Sequence, residues 1–345
     1  MKKLGEDPAH GCGHALWENS GDLNKYGTTM ALMLLPYWTD GCIGSTEGLF
    51  FEAAGSTPYH FISAAALSKQ SSNPVRELRY DNNDAVKGVA YMRMMGIRYY
   101  MGYTPEAIAK ADAQPDLTKV GTSGPWHLYE IADTAIVEPL SVQPVVVNER
   151  PGDKRERWLE IGTSYFQHMN EWAALPVDHG PDDWQRIDVA ADETRSVGVE
   201  GEPGREVDIV KAVEGSEIKT VSLDPVVVSD VKVEQESVSF TVDRVGVPVL
   251  VKVSYFPNWQ VKGAASVYRA APNMMVVVPT EKNVTLSYEP SQLDRSSYAV
   301  TLFGIVMAVV LFRRRFRYGV AMPARKDSEI EPESTAEPTA DSLTD

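Results

Sequence analysis

His10-Gly-Cys-Gly-His14 gathers two imidazoles and a thiol on a glycine-loosened backbone, the residue types that bind a soft metal. Cys42 would complete a four-ligand set. The spacing matches no common zinc signature, and Cys12 and Cys42 are the only cysteines in the chain, so no metal is assigned. The two thiols can pair in an oxidising compartment or stay unpaired. A Cys12–Cys42 disulfide is the favoured reading.

A second constellation lies in Trp38-Thr-Asp-Gly-Cys-Ile-Gly-Ser-Thr-Glu47, which brings carboxylates, hydroxyls and glycines together. Asp40, Glu47 and Glu52 are the carboxylates that acid–base chemistry on a glycan would need. Trp17, Trp38, Tyr59 and His60 are the side chains that would line a sugar subsite, with Trp259 a further aromatic candidate much later in the chain. The competing structural reading is a glycine-rich loop whose polar groups satisfy the backbone while the aromatics fill a core. That reading carries the greater weight. No glycine-rich phosphate loop, nucleophile elbow or HExxH pattern occurs, so no cofactor and no catalytic residue are assigned. The net charge of -15 argues against a nucleic-acid partner, which needs a basic face.

The elements that must position these groups fall into an α+β order. Residues 1–135 read as a small α/β unit. Asp84 caps a helix beginning at Ala85, Gly96 closes it, and Ile97 to Tyr103 is a strand. Thr104-Pro-Glu starts another helix, and Leu117 to Val120 pairs with Trp126 to Ile131 across Thr122-Ser-Gly124. Residues 136–185 read as a helical connector. Asp153 and Glu156 have capping-box spacing, and Trp158, Ile161, Tyr165, Met169 and Trp172 form one apolar stripe that reads as core packing. From 186 to 294 short alternating runs separated by turn residues predict an antiparallel β-sandwich, with strands at Val197–Val199, Val207–Val210, Val231–Val233, Val238–Val242, Val249–Tyr255, Val276–Val278 and Val284–Tyr288.

Tyr298 to Phe312 is the long charge-free apolar run, closed by Arg313-Arg-Arg-Phe-Arg317. Fifteen residues rise only about 22 Å as a helix, short for a bilayer. Tyr298 at one edge, Phe316 and Tyr318 at the other, and snorkelling arginines favour a membrane helix over residues 296–316. The arginines would mark the cytoplasmic side, leaving residues 1–294 extracytoplasmic and 317–345 as an acidic, disordered cytoplasmic tail. The N-terminus has two lysines but no apolar core of a signal peptide, so export needs another source.

Three segments carry a family resemblance: Val253-Ser-Tyr-Phe-Pro-Asn-Trp-Gln-Val261, Val267-Tyr-Arg-Ala-Ala-Pro-Asn-Met274, and Val284-Thr-Leu-Ser-Tyr-Glu-Pro290. Upstream, Met30 to Ser45, Gly48-Leu-Phe-Phe-Glu52, Thr57-Pro-Tyr-His-Phe61 and Met95-Gly-Ile-Arg-Tyr-Tyr100 extend it. Together they resemble the extracytoplasmic C-terminal portion of large bacterial membrane proteins of the C-type glycosyltransferase superfamily, including the YfhO-like and 6-pyruvoyl-tetrahydropterin synthase-related membrane proteins. The family pattern has a transmembrane bundle before this region, and its catalytic carboxylate sits in an early loop of that bundle. The resemblance therefore implies an outer domain plus last helix, from a fragment, a split gene product or a late-called start, with the bundle as its export route. No position here inherits the catalytic role.

The expectation is a non-catalytic extracytoplasmic portion of a cell-envelope glycosyltransferase-like protein. Its partners would be the membrane, an upstream transmembrane bundle, and an envelope glycan or lipid-linked sugar acceptor. Alternatives are a free-standing anchored sugar-binding or scaffold protein and, more remotely, an envelope glycan hydrolase.

Overall fold

The computed structural model describes residues 1–47, 54–75, 77–192 and 207–317. Glu52, the Gly48–Glu52 segment, the expected strand at 197–199, Tyr318 and the acidic tail lie outside the described residues. The chain divides into two units, residues 1–289 and 290–345. Its class is α+β, as the pattern of apolar residues predicts.

The N-terminal part of the first unit is built on strands β1 (Gly13–Trp17), β2 (Ile43–Ser45), β3 (Ile97–Gly102), β4 (Leu117–Ser123) and β5 (Trp126–Ile131). Their order is β2-β1-β3-β5-β4, with β2, β1 and β3 parallel and the rest antiparallel. Short helices α1 (Lys2–Glu6) and α2 (Leu35–Trp38) flank the parallel end in sequence. Helices α3 (Thr57–Ala66), α4 (Ala85–Met94) and α5 (Pro105–Asp112) supply the other long elements. Strand alternation sorts the side chains. Leu16, Tyr100 and Tyr129 join Ala64, Val89, Met92 and Ala111 in one core, whereas Ala15, Trp17, Tyr99 and Met101 join Met33 and Leu35 in another. The helix starts are chemically specified. Asp84 accepts from the Lys87 amide at 3.2 Å and Thr104 from the Ala107 amide at 3.2 Å.

The second part is a three-layer arrangement. A four-stranded antiparallel sheet runs in the order β12 (Val228–Val233), β13 (Ser237–Val242), β18 (Asn283–Tyr288), β15 (Trp259–Lys262). It faces a seven-stranded sheet whose order is β6 (Val137–Pro139), β14 (Val249–Val251), β17 (Met274–Pro279), β16 (Ala264–Ala270), β8 (Pro176–Val177), β7 (Val145–Val147), β9 (Arg186–Ile187). A small pair, β10 (Val189–Ala191) and β11 (Val210–Ala212), completes the strands. Val249, Val251, Met275 and Val277 point into the inter-sheet core with Phe240, Val242 and Leu286. Leu250, Met274 and Val276, one residue out of step, point the other way toward Trp158, Ile161 and Trp172. One period-two pattern thus serves two cores.

Two features depart from the expected organisation. Residues 136–185 hold three strands, β6, β7 and β8, as well as helix α6 (Lys154–Gln167), and they enlarge the sandwich. The larger sheet is also mixed, because β7 pairs parallel with β8 and β9. A parallel pair needs a crossover, and α6 lies in the chain between β7 and β8. The sandwich strands missed from sequence, β15 and β16, meet at Gly263, where the chain leaves one sheet for the other. Gly263 has φ of 79°, and a Cβ there would stand 2.1 Å from the Asn283 carbonyl oxygen.

Helix α6 starts as expected, with the Asp153 carboxylate accepting from the Arg155 and Glu156 amides at 3.0 and 3.1 Å. It ends at Gln167, short of the full stripe, yet Trp158, Ile161 and Trp172 are core residues. Its close approach to the rest of the fold depends on Gly162. A Cβ there would lie 2.0 Å from Tyr59 Oη and 2.7 Å from the Pro272 carbonyl oxygen. Gly162→Ala should therefore destabilise by about 1–3 kcal/mol despite alanine's better helix propensity. A chemical denaturation midpoint at or above that of the wild type would refute this packing.

The second unit contains α7 (Gln292–Arg317), a helix of 26 residues and thus about 39 Å long. The apolar run alone is too short to span, but the helix begins six residues earlier than Tyr298. Ser291 and Asp294 cap it reciprocally: Ser291 N–H and Oγ donate to Asp294 Oδ2 at 2.8 and 2.7 Å, and the Asp294 amide donates to Ser291 Oγ at 3.1 Å. The hydroxyls of Ser296, Ser297 and Thr301 donate back to carbonyls of the preceding turn at 2.7–2.8 Å. The serine and threonine hydroxyls of the helix are thus bonded to its own backbone rather than turned toward a hydrocarbon. Among the described residues Gln292–Arg314 is the one helical stretch long and apolar enough to cross a membrane, and none of its apolar window is buried.

Candidate functional site

Cys12 and Cys42 form a disulfide with Cα atoms 4.7 Å apart. The two thiols are therefore spent, and among the described residues no group of three or more metal-ligating side chains occurs. His14 is half-buried beside Gly44, and desolvation lowers its pKa. His10 instead reaches Glu130, with Nδ1 at 2.6 Å from Oε2, and Arg98 holds the other oxygen at 2.8 Å.

The expected sugar subsite is not assembled. Trp17 is 2% exposed and belongs to the core under β1. Tyr59 is equally buried, its ring 5.3 Å from Phe166, and burial raises its pKa. Trp259 is buried between the two sheets, with Nε1 donating to the Ser254 carbonyl at 3.1 Å. Trp38 alone of the expected tryptophans is open, at 46% exposure. The reason is common to the three buried rings: each lies on the inward face of a strand or helix, where its large apolar area is best removed from water.

The carboxylates separate as well. Asp40 sits on the surface with φ of 53° and pairs with Lys2 at 2.8 Å, whose hydrogen bond lowers its pKa. Glu47 is buried and faces His60, with Oε2 3.6 Å from Nε2, while Nδ1 of His60 is 3.1 Å from Thr46 Oγ1. Glu47 and His60 are thus the one pair from the expected set that the fold brings together. Asp40 is committed to Lys2 rather than to a shared site with Glu47.

A different polar cluster forms where β16 turns into β17. Arg269 is near the end of β16, and Asn273 follows the cis Ala271–Pro272 bond. Trp158 Nε1 donates to the Pro272 carbonyl at 3.0 Å, tying α6 to this turn. Asn273 is 1% exposed and is the hub. Its Oδ1 accepts from Arg269 Nε at 2.8 Å, and its Nδ2 donates to Ser254 Oγ at 3.2 Å and to the Tyr255 carbonyl at 3.4 Å. Ser56 Oγ donates to Ser254 Oγ at 3.0 Å, bridging 198 positions in sequence. A Cβ on Gly55 would stand 2.7 Å from Asn273 Nδ2, so the loop approaches closely.

The guanidinium of Arg269 lies 4.7 Å from the Trp158 ring centre and 5.7 Å from that of Tyr255. Its backbone amide donates to Asp178 Oδ1 at 3.1 Å, and the same oxygen is 2.5 Å from His179 Nδ1. Burial lowers the pKa of Arg269 and raises those of Asp178 and Tyr255. Ser254 Oγ accepts hydrogen bonds from an amide and a hydroxyl, neither of which is a base. The cluster therefore has the chemistry of recognition rather than of nucleophilic attack.

Sequence reasoning met these residues only inside family-like segments. The available signal was an arginine and an asparagine set within the otherwise apolar stretch Val267 to Val278. A neighbouring cavity of about 240 Å³ is lined by residues including Arg93, Glu138, Tyr165, Lys252 and Pro272. It falls below the usual range for small-molecule sites, and Lys252 is already bonded to Glu138 at 2.7 Å and to the Arg93 carbonyl at 2.8 Å. No family model, curated protein or solved structure matches the chain, so the reading of this cluster rests on its geometry.

Proposed function

We propose that this chain is an extracytoplasmic recognition body held on a cell membrane by its C-terminal helix. In this reading it is the outer portion of a glycosyltransferase-like envelope protein, positioning an acceptor glycan or an envelope partner and leaving transfer chemistry to a membrane bundle. The observation that carries the proposal is α7, an exposed apolar helix of spanning length with arginines at one end. The Cys12–Cys42 disulfide supports an oxidising compartment for the first unit. The resemblance of the Val253–Pro290 segments supports the glycosyltransferase-like assignment. Asp40 and Glu47 have separate partners, Lys2 and His60, which favours recognition over the hydrolase alternative.

Membrane fractionation tests the anchor. The full chain should stay in the membrane pellet through alkaline extraction, and protease added from outside should remove residues 1–289 while sparing α7. Release into the alkaline supernatant, or protection of residues 1–289 from external protease, would overturn the proposal. A free-standing anchored sugar-binding protein would behave identically in these assays. Co-purification of a transmembrane glycosyltransferase subunit, or an in-frame run of hydrophobic segments upstream of Met1, separates it from the larger assembly.

A further inference from the structure

We infer that the Arg269–Asn273 cluster is a binding site for the carboxylate of an acidic saccharide. The oxyanion part of the inference rests on the geometry alone; that a saccharide carries it rests on the recognition function proposed above.

One nitrogen of Arg269, Nε, is spent on Asn273, and the buried amide is itself fixed by Ser254 and the Tyr255 carbonyl. Trp158 and Tyr255 provide aromatic contacts to the guanidinium. No ion pair joins it to a carboxylate among the described residues, and its terminal nitrogens have no hydrogen-bond partner among them. A cation so oriented, partly desolvated and with its terminal nitrogens unbonded favours a partner that can accept two parallel hydrogen bonds. A planar carboxylate, with two coplanar acceptor oxygens, matches that fork.

The same cluster offers a neutral donor. Ser254 Oγ accepts from Ser56 and from Asn273, so its own proton is unspent among the described residues. Arg269 and Ser254 thus stand on either side of one amide, a cation and a hydroxyl donor linked by Asn273. A uronate presents a carboxylate next to ring hydroxyls and could use both. Asp178 lies near enough to stabilise the guanidinium charge but forms no direct ion pair with it among the described residues. Its Oδ1 instead accepts from the Arg269 backbone and faces His179.

The test uses the full chain in detergent micelles and isothermal titration with trigalacturonate, acetate, inorganic phosphate and neutral maltotriose. Trigalacturonate should bind, and more tightly than acetate, while maltotriose should not. Arg269→Gln should weaken uronate binding by about ten- to a hundredfold, and Arg269→Lys by about tenfold, since lysine keeps the charge but loses the fork. Should either variant lose its fold by circular dichroism, the wild type supplies an independent readout. Trigalacturonate should protect Arg269 from modification by phenylglyoxal, read by mass spectrometry.

Unchanged uronate affinity in folded Arg269→Gln, or no protection of Arg269, would overturn the site. Binding of phosphate in preference to uronate, with the same dependence on Arg269, would overturn the carboxylate assignment. Acetate binding as tightly as trigalacturonate would support the oxyanion site and count against the saccharide. None of these outcomes depends on membrane insertion, so failure here is distinguishable from failure of the anchor.

Discussion

Glu18→Ala is expected to lower folding stability by about 3–5 kcal/mol, the cost of stranding several buried donors at once. Glu18 is 0% exposed at the end of β1. Its Oε2 accepts from the amides of Tyr103 and Thr104 at 2.8 and 2.7 Å, and its Oε1 from the Thr104 hydroxyl at 2.6 Å and the Lys69 amide at 3.3 Å. Thr104 in turn caps α5. One carboxylate therefore joins the end of β1, the exit from β3, the start of α5 and the loop after α3. Each of its oxygens is occupied by donors of the fold. Glu18→Gln should recover roughly half of the loss, because one oxygen can still accept while the amide nitrogen opposes another donor. Chemical denaturation of the wild type and both variants measures this. A Glu18→Ala protein within about 1 kcal/mol of wild type would show that water replaces the carboxylate.

Replacing Cys12 and Cys42 together by serine should cost about 3.5 kcal/mol, from the entropy of a loop closed over 30 positions. The closed loop includes β1 and α2 and ends one residue before β2, and β1 and β2 are themselves paired in parallel. The bond therefore fastens a parallel pair that has only three residues in register. The packing around it is close. A Cβ on Gly5 would lie 2.5 Å from Cys42 Sγ, so α1 also rests on the disulfide. A reducing agent added to the wild type should reproduce the shift in denaturation midpoint and leave the double serine variant unaffected. An equal shift in both proteins would assign the effect to something other than this bond. Either loss should be felt most in the N-terminal sheet, and hydrogen exchange would reveal whether β1 and β2 open ahead of the sandwich.

Much of the scaffold was legible because it is written locally. Asp84, Thr104 and Asp153 sit one residue before their helices and bond amides within three positions. Residues 117–131 pair across a turn at Gly124, whose φ is 56°. Strand alternation at 238–242 and 284–288 survives as a buried, out-facing rhythm. The short strands at 137–139, 145–147, 176–177 and 186–187 were not legible, since two or three residues carry no measurable period. Their strand character comes from neighbours that are distant in sequence.

The candidate site divides along the same line. Trp17, Tyr59 and Trp259 have residue types suited to a sugar surface, but the same apolar area makes them good core residues, and only packing decides between the two. Glu47 and His60 were named from sequence and do meet, though as a buried pair rather than beside Asp40. Arg269 and Asn273 were visible only as polar intrusions in an apolar stretch. Their partners Trp158, Asp178 and Ser254 come from separate elements.

The sequence by itself determined the α+β class, the helix starts, the alternating strands and an apolar C-terminal helix, because caps, periodicity and hydropathy act over a few neighbouring residues. The tertiary structure alone decided which aromatics were buried, that Glu18 is a structural acceptor, and that Arg269 is held between Trp158 and Tyr255 by a buried amide. Those outcomes depend on which distant surfaces are removed from water together, and no window along the chain contains that information.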